Sequence, residues 1–231
     1  MTNSGYAGSA LDTKTRGQAR FSRNEFFIGV DLGQAKDYTA IAVLEGNHTY
    51  RVRHLVRERG IPYPTIVNQI HSLIRSRELR SGRVNLVVDQ TGVGAPVVDL
   101  LRNKGLMPIA ITITGGDHPH QEDHKKRTWS VPKRDLISNL IVLSQTQRMK
   151  IASGLKEAAT LANEFQNMRV KIDLRTAHDS YTTWRDGQHD DLVLAVALAS
   201  WWAEKRPMRM PKPIVIGSGI GKPEIIWRGF Y

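Results

Sequence analysis

Four aspartates stand where a folded chain can gather carboxylates for chemistry. Asp31 follows one short apolar run, Asp89 follows another, and Asp190 and Asp191 directly precede a long apolar segment. A carboxylate at the end of a buried strand lies at the edge where open α/β sheets bind their ligands. We therefore expect two strand ends and one helix start to bring these side chains within a few ångströms of each other.

Carboxylates placed this closely repel each other, so they need either protons or a cation to neutralise them. Mg²⁺ and Mn²⁺ suit the role because both prefer oxygen ligands. Two such ions about 3.5–4 Å apart activate a water and stabilise the leaving oxygen in phosphodiester hydrolysis. Taken singly, each aspartate has an ordinary alternative as a turn residue or, for Asp190, as a helix N-cap.

The composition favours a polyanionic partner. The formal net charge is +11, and lysines and arginines that neutralise phosphates release counterions. Solubility alone is the alternative explanation of this charge.

The sequence has no cysteine, which excludes disulfides, thiolate metal sites and cysteine nucleophiles. No apolar run approaches the ~20 residues that cross a bilayer, and residues 1–24 lack an apolar signal core, so we expect a cytoplasmic protein without a membrane partner.

Composition along the chain predicts one domain between two extensions. Residues 1–24 are rich in Gly, Ser, Thr and Arg, which is typical of a flexible basic arm. Residues 206–231 contain repeated prolines, glycines and basic side chains, and we expect an extended basic tail. Residues 25–205 form the expected domain.

Within that domain, hydrophobic periodicity predicts an α/β fold. Strands are expected at 26–31, 38–44, 48–57, 84–89 and 108–114. Helices are expected at 64–79, 95–104, 132–147, 154–167 and 190–202, with a hairpin of strands 169–174 and 181–184. The first three strands follow each other closely enough for an antiparallel meander, and strand–helix–strand order after residue 84 predicts parallel pairing. In the third strand, Tyr50, Val52, His54 and Val56 are expected to share one face.

The acidic segments resemble the motifs of a known nuclease family, the nuclease domain of phage terminase large subunits. The likeness covers roughly residues 26 to 204, in the right order and spacing. It rests on Ile28–Gly33 followed by Asp37–Ala42, on Val88–Val97, on Val131–Leu136, and on His189–Ala195.

This resemblance implies an RNase H-like fold, a mixed sheet flanked by helices whose first three strands are antiparallel. It also implies metal-dependent endonuclease cleavage of double-stranded DNA during packaging. Asp31, Asp89 and Asp191 would be the primary metal ligands, with Asp190 beside them and His189 as an outer-shell partner. The expected cofactor is a pair of Mg²⁺ or Mn²⁺ ions.

Several basic residues are candidates for contacting DNA. Lys133 opens a predicted helix near the acidic site, and Lys125, Lys126 and Arg127 follow a loop rich in histidine and carboxylates. We expect that loop to be mobile and close to the site rather than a zinc site. Two further groups of arginines form either a DNA track or a solvated face, namely Arg51, Arg53, Arg57 and Arg59, and Arg75, Arg77, Arg80 and Arg83.

The sequence departs from a whole terminase large subunit because it carries no ATP-binding P-loop. Gly217–Lys222 is only a fragment of one, with Ile216 at the first glycine position and Pro223 at the Ser/Thr position. We therefore expect cleavage from this chain and translocation from a partner. An ATPase motor, a small terminase subunit and a portal protein are the candidate partners.

Three other functions remain open at this stage. A Holliday-junction resolvase would use the same acidic set on a branched substrate. An actin-like sugar or acetate kinase shares the opening Gly-x-Asp-x-Gly pattern but needs a second domain of similar size. A non-catalytic DNA-binding or scaffold protein would have a degenerate site, whereas here the acidic set is intact.

Overall fold

The structure is a computed structural model of the 231-residue chain. It describes residues 24–33, 37–92, 94–173, 189–205, 214–216 and 224–226, with backbone alone for 169–173 and the last two ranges. The predicted strand 181–184 and all of the predicted arm except Asn24 lie outside the described residues. So does most of the predicted tail, of which two short strands, Ile214–Ile216 and Glu224–Ile226, pair antiparallel.

The described part of the main domain contains one eight-stranded mixed sheet. Its strands are β1 (Glu25–Asp31), β2 (Tyr38–Gly46), β3 (Tyr50–Arg59), β4 (Arg83–Asp89), β5 (Ile109–Thr114), β6 (His120–Asp123), β7 (Thr128–Pro132) and β8 (Met149–Ile151). They lie in the order β6-β7-β5-β4-β1-β2-β3-β8. The β1–β2–β3 meander is antiparallel, and β1, β4, β5 and β7 run parallel. The predicted mixed α/β sheet is confirmed.

Five helices in the described residues cover the two faces of this sheet. They are α1 (Tyr63–Ile74), α2 (Gly94–Asn103), α3 (Lys133–Gln145), α4 (Ala158–Asp173) and α5 (Asp191–Lys205). Helix α5 is buried along nearly its whole length and packs on β1 and β2, with α3 and α4 beside it. The second core, on the opposite face, contains α1 and α2. Within the described residues, no helix is long and apolar enough to span a bilayer.

Helix α5 approaches the sheet most closely at Gly29 in β1. A Cβ atom placed on Gly29 would overlap the backbone carbonyl oxygen of Ala195 and press on the methyl group of Ala199. Only a residue without a side chain permits this backbone-to-backbone approach. The glycine therefore sets the height at which α5, and the aspartates at its start, sit over the strand that carries Asp31.

A β-bulge in β3 corrects the predicted face of that strand. Val43 pairs with His54 and Leu44 pairs with Val52, so Arg53 is an extra residue. An inserted residue reverses the alternation of side chains beyond it. Tyr50 and Val52 share one face as predicted, and this face packs toward α5; Leu55 continues it, while Val56 joins the opposite core. The prediction that His54 and Val56 share the face of Tyr50 was wrong, and the reversal places Arg57 under α5.

Two other local predictions were wrong. Residues 169–173 continue α4 instead of forming a strand, because a helix already begun at Ala158 extends more easily than a new strand starts. The loop at 115–127 contains the edge strand β6, which pairs antiparallel with β7. Its polar side chains are typical of an edge and hide the alternation that marks a half-buried strand.

Candidate active site

Asp31 and Asp89 end adjacent parallel strands on the same face of the sheet. The last register pair before them is Val30 opposite Val88, both in the core away from α5. Because side chains alternate along a strand, the next residue of each strand faces α5. The structure thus brings together the two strand-end aspartates that the sequence singled out.

The turn after β4 fixes the direction of the Asp89 carboxylate. Its Oδ1 accepts a hydrogen bond of 2.8 Å from the backbone N–H of Thr91, and Thr91 Oγ1 accepts one of 2.8 Å from the N–H of Ile113. Gly92 has a φ of +61°, and a Cβ on Gly94 would overlap the carbonyl oxygen of Asp89. Asp89 therefore stabilises its turn, and the two glycines allow the chain to leave the strand sharply.

The start of α5 carries the other two aspartates and is capped from another helix. Glu164 of α4 accepts hydrogen bonds at Oε2 from the N–H groups of Leu192 (3.0 Å) and Val193 (3.2 Å). The Asp190 side chain instead pairs with Lys133 Nζ at 2.8 Å. Because Glu164 satisfies the first amides of α5, the carboxylates of Asp190 and Asp191 are left available for other partners.

Arg57 lies beside Asp191, although the sequence assigned it only to a DNA track or a solvated face. Its Nε and Nη2 donate to Asp191 Oδ2 at 3.3 and 3.2 Å, and Nε lies 3.5 Å from Glu164 Oε1. The guanidinium also stacks on the ring of Tyr38, 3.8 Å from its centroid. Sequence reasoning missed Arg57 and Glu164, because the bulge that turns Arg57 toward α5 is a feature of strand pairing and Glu164 acts through a contact with another helix.

The aspartates interact electrostatically. Burial raises the pKa of Asp31 well above its ordinary value, and the charges of Asp89, Asp190 and Asp191 raise it further, against an opposing effect of Lys133. Burial also raises the pKa of Asp89 despite the hydrogen bonds at Thr91 and the charge of Lys133. Burial is the largest cause of both shifts.

The pKa values of Asp191 and Glu164, whose side chains meet at the start of α5, are raised as well. Burial raises the pKa of Asp191, although its hydrogen bonds from Arg57 oppose the shift. Burial likewise raises the pKa of Glu164 to about 7, against the N–H groups of Val193 and Leu192 and the charge of Arg57. Burial is the largest cause of the shift in both groups, and the charge of Arg57 opposes it in each.

Lys133 and His189 border this cluster, as their sequence positions predicted. Lys133 is the first residue of α3, directly after β7, and only 18% of its side chain is exposed. His189 Nδ1 lies 3.6 Å from Asp191 Oδ2, and its ring meets Tyr38 edge-to-face with centroids 5.0 Å apart. The structure places both side chains at the aspartates.

The other basic candidates lie away from the aspartates. Arg127 donates to the carbonyl of Met107 and its guanidinium lies 5.8 Å from the Trp202 ring centroid. Trp202 is eleven residues beyond Asp191 on α5, a rise of about 16 Å. Lys125 and Lys126 are exposed in the β6–β7 turn, where their N–H groups donate to Asp123. These three residues are not gathered at the acidic cluster.

The donor set fits a hard divalent cation by its chemistry, although it is not closed around one. Over the residues that the structure describes, no three acidic, histidine or cysteine side chains form a ready-made metal cluster. Asp190 and Asp191 are instead turned toward Lys133 and Arg57. The four aspartates supply carboxylate oxygens, the type of ligand that Mg²⁺ and Mn²⁺ prefer.

Solved structures with the same fold include two viral terminase nucleases. The large terminase nuclease of thermophilic phage G20c has a TM-score of 0.51 and 21% identity, over 76% of this chain and 81% of that one. The human cytomegalovirus terminase nuclease domain, Mn-soaked and inhibitor-bound, also has a TM-score of 0.51, with 13% identity over 78% of this chain and 83% of that one. The sequence matches no protein-family model and no curated protein.

These similarities define the class of fold. The chain has the RNase H-like fold of terminase large-subunit nuclease domains, and the predicted resemblance is confirmed at this level. At 21% and 13% identity the likeness concerns the fold, so the function must be argued from the site itself.

Proposed function

We propose that this protein is a metal-dependent DNA endonuclease whose site consists of Asp31, Asp89, Asp190 and Asp191. The observation that carries the proposal is geometric: Asp31 and Asp89 end adjacent parallel strands on the face of the sheet that α5 covers, and Asp190 and Asp191 stand at the start of α5. Structural ion-pair networks also contain buried acids, but they balance their charges. Here the raised pKa values of three of the aspartates favour a site that binds a cation.

The four aspartates would hold two Mg²⁺ or Mn²⁺ ions. When bound, such ions activate water and stabilise the oxygen that leaves the phosphorus. The protein's own part is to present the carboxylates: Asp31 and Asp89 from adjacent strand ends, and Asp190 and Asp191 from the start of α5. His189 would orient Asp191 through the 3.6 Å contact, and Lys133 would orient Asp190 and add positive charge where a phosphate approaches.

Double-stranded DNA is the substrate that we propose. The net charge of +11 suits a phosphate backbone, whose contacts provide most of the affinity of sequence-independent binding. The terminase-like fold further favours a role in viral DNA packaging in the host cytoplasm. Translocation would then come from a separate ATPase motor, with a small terminase subunit or a portal protein as further partners.

The proposal predicts metal-dependent cleavage that one isosteric substitution removes. The purified protein should nick or cut plasmid DNA with Mn²⁺ or Mg²⁺ and not with EDTA. Asp89→Asn keeps an oxygen for the N–H of Thr91 but loses the charge, so we expect its cleavage rate to fall more than 100-fold, since even outer-shell changes cost about 10–100-fold. Initial rates on supercoiled plasmid measure this effect.

The matched control is Asp99→Asn, because Asp99 is an exposed aspartate paired with Arg102 on α2. It should cut at the rate of the unmodified protein. A linear duplex and a four-way junction, compared at equal concentration, test the choice of substrate, and we expect the duplex to be cut. If neither metal supports cutting of any DNA, or if Asp89→Asn cuts normally, the proposed function is wrong.

A further inference from the structure

We infer that Arg57 and Glu164 form a positioning clamp that orients Asp191 for metal binding. The inference rests on the proposed function and extends it to two residues that are not metal ligands in that proposal. Arg57 comes from β3, Glu164 from α4 and Asp191 from α5. The clamp therefore joins three elements at the point where α5 begins.

The contacts of the clamp distinguish the two oxygens of Asp191. Both Arg57 hydrogen bonds reach Oδ2, at 3.3 and 3.2 Å, and His189 also approaches Oδ2, at 3.6 Å. A carboxylate held through one oxygen has a fixed plane and presents the other oxygen, Oδ1, in one direction. Arg57 thus does for Asp191 what the N–H of Thr91 does for Asp89.

Glu164 holds the helix while Arg57 holds the side chain. Its Oε2 accepts the amides of Leu192 and Val193, which fixes the first turn of α5. Its Oε1 is buried and, in the described residues, has no hydrogen-bond partner; Arg57 Nε lies 3.5 Å away. The guanidinium therefore offsets the charge of a buried carboxylate, one oxygen of which has no hydrogen bond in the described residues.

Burial argues against a direct contact between Arg57 and DNA. Only 14% of its side chain is exposed, compared with 58% for Arg53 on the same strand. One face of the guanidinium is covered by Tyr38, and its edge is taken by two carboxylates. A planar, forked donor suits this task, whereas a lysine would supply charge without the paired N–H groups.

Mn²⁺ affinity tests the inference, because positioning and simple charge balance predict opposite signs. If Arg57 positions Asp191, Arg57→Gln should weaken Mn²⁺ binding by about tenfold or more, the range seen for outer-shell partners. If Arg57 were only a counter-charge, its removal would leave more negative charge and Mn²⁺ would bind more tightly. Isothermal titration of the full chain near neutral pH measures whether the Mn²⁺ affinity falls or rises. We expect Arg57→Lys to restore part of the affinity.

A second measurement uses metal-free protein and needs no activity. Arg57→Gln and Glu164→Gln should each lower the melting temperature by roughly 4 °C or more, because each removes one charge of a buried ion pair. The double variant should lose less than the sum of the two. For the Mn²⁺ titration, the matched control is the pair Arg102→Gln and Asp99→Asn on α2, whose side chains are 3.1 Å apart. We expect unchanged Mn²⁺ affinity for these variants.

Cleavage kinetics complete the test. Arg57→Gln should lower kcat by about 10–100-fold while the KM for duplex DNA stays the same, whereas loss of a phosphate contact would raise KM. Tighter Mn²⁺ binding, additive melting shifts, or an effect on KM alone would each overturn the clamp. If the unmodified protein cuts no DNA the proposed function fails, and the metal-free double variant still decides whether Arg57 and Glu164 are coupled.

Discussion

Asp31→Asn is expected to abolish DNA cleavage and, at the same time, to stabilise the metal-free protein. Asp31 is one of the proposed metal ligands. The loss of its charge should therefore lower the cleavage rate more than 100-fold, beyond the roughly 10–100-fold cost of outer-shell changes. The same charge is destabilising without metal, because burial and three neighbouring carboxylates raise the pKa of Asp31. Removing it should add about 0.5–2 kcal/mol to the free energy of unfolding.

The stabilisation has a definite pH dependence. A carboxyl whose pKa is raised on folding contributes its full stability below the unfolded value, about 3.9 for aspartate. That contribution is lost as the pH rises through the folded pKa. The advantage of Asp31→Asn should therefore be small near pH 4 and grow toward neutrality. Urea unfolding of both proteins in EDTA, repeated across this range, measures it.

Loss of both activity and stability in Asp31→Asn would contradict this expectation. It would mean that the carboxylate at the end of β1 serves the fold rather than a cation. Asp99→Asn is again the matched control, since 71% of the Asp99 side chain is exposed. We expect no gain in stability for that variant.

Gly29→Ala is expected to impair both folding and cleavage through one added methyl group. The methyl would overlap the carbonyl oxygen of Ala195, and neither β1 nor α5 can yield by rotating a side chain. Overpacking of a core costs about 1–3 kcal/mol, and we expect the upper end of this range because the conflict involves backbone. Movement of α5 would also displace Asp190 and Asp191 from Asp31, so cleavage should fall at temperatures where the variant is still folded.

Gly154→Ala provides the matched control, because a Cβ at Gly154 meets no atom within 4 Å. It should change the free energy of unfolding by no more than about 0.5 kcal/mol and leave cleavage unchanged. Urea unfolding and plasmid cleavage at one temperature give both readouts. A Gly29→Ala protein as stable and active as the unmodified one would show that the spacing of β1 and α5 does not control the site.

Much of the fold follows from the sequence because its central elements have strong periodicity. The strands that end at Asp31 and Asp89 are continuous apolar runs, and α5 is apolar on nearly every side, so their burial and order are readable. Parallel strand ends then meet at one edge. The placement of the four aspartates needs little more than these facts.

The rest of the site depends on features that leave little trace in one sequence. The bulge at Arg53 has no composition of its own, yet it decides that Arg57 faces Asp191 and not solvent. Glu164 sits in an ordinary amphipathic helix, and its role depends on a contact 28 residues further along the chain. The edge strand β6 has no apolar alternation, because its residues are polar and lie at the exposed edge of the sheet. Predictions fail here because pairing and tertiary contacts, rather than local preference, choose the structure.

We propose that Asp31, Asp89, Asp190 and Asp191 form a site for divalent metal ions. Anomalous scattering of Mn²⁺, measured on crystals of the protein soaked in that ion, tests this directly. We expect strong peaks coordinated by these carboxylates at the ends of β1 and β4, and no such peaks in Asp31→Asn. If no Mn²⁺ density lies between β1, β4 and the start of α5, at concentrations that saturate oxygen-ligand sites, the four aspartates do not form a metal site.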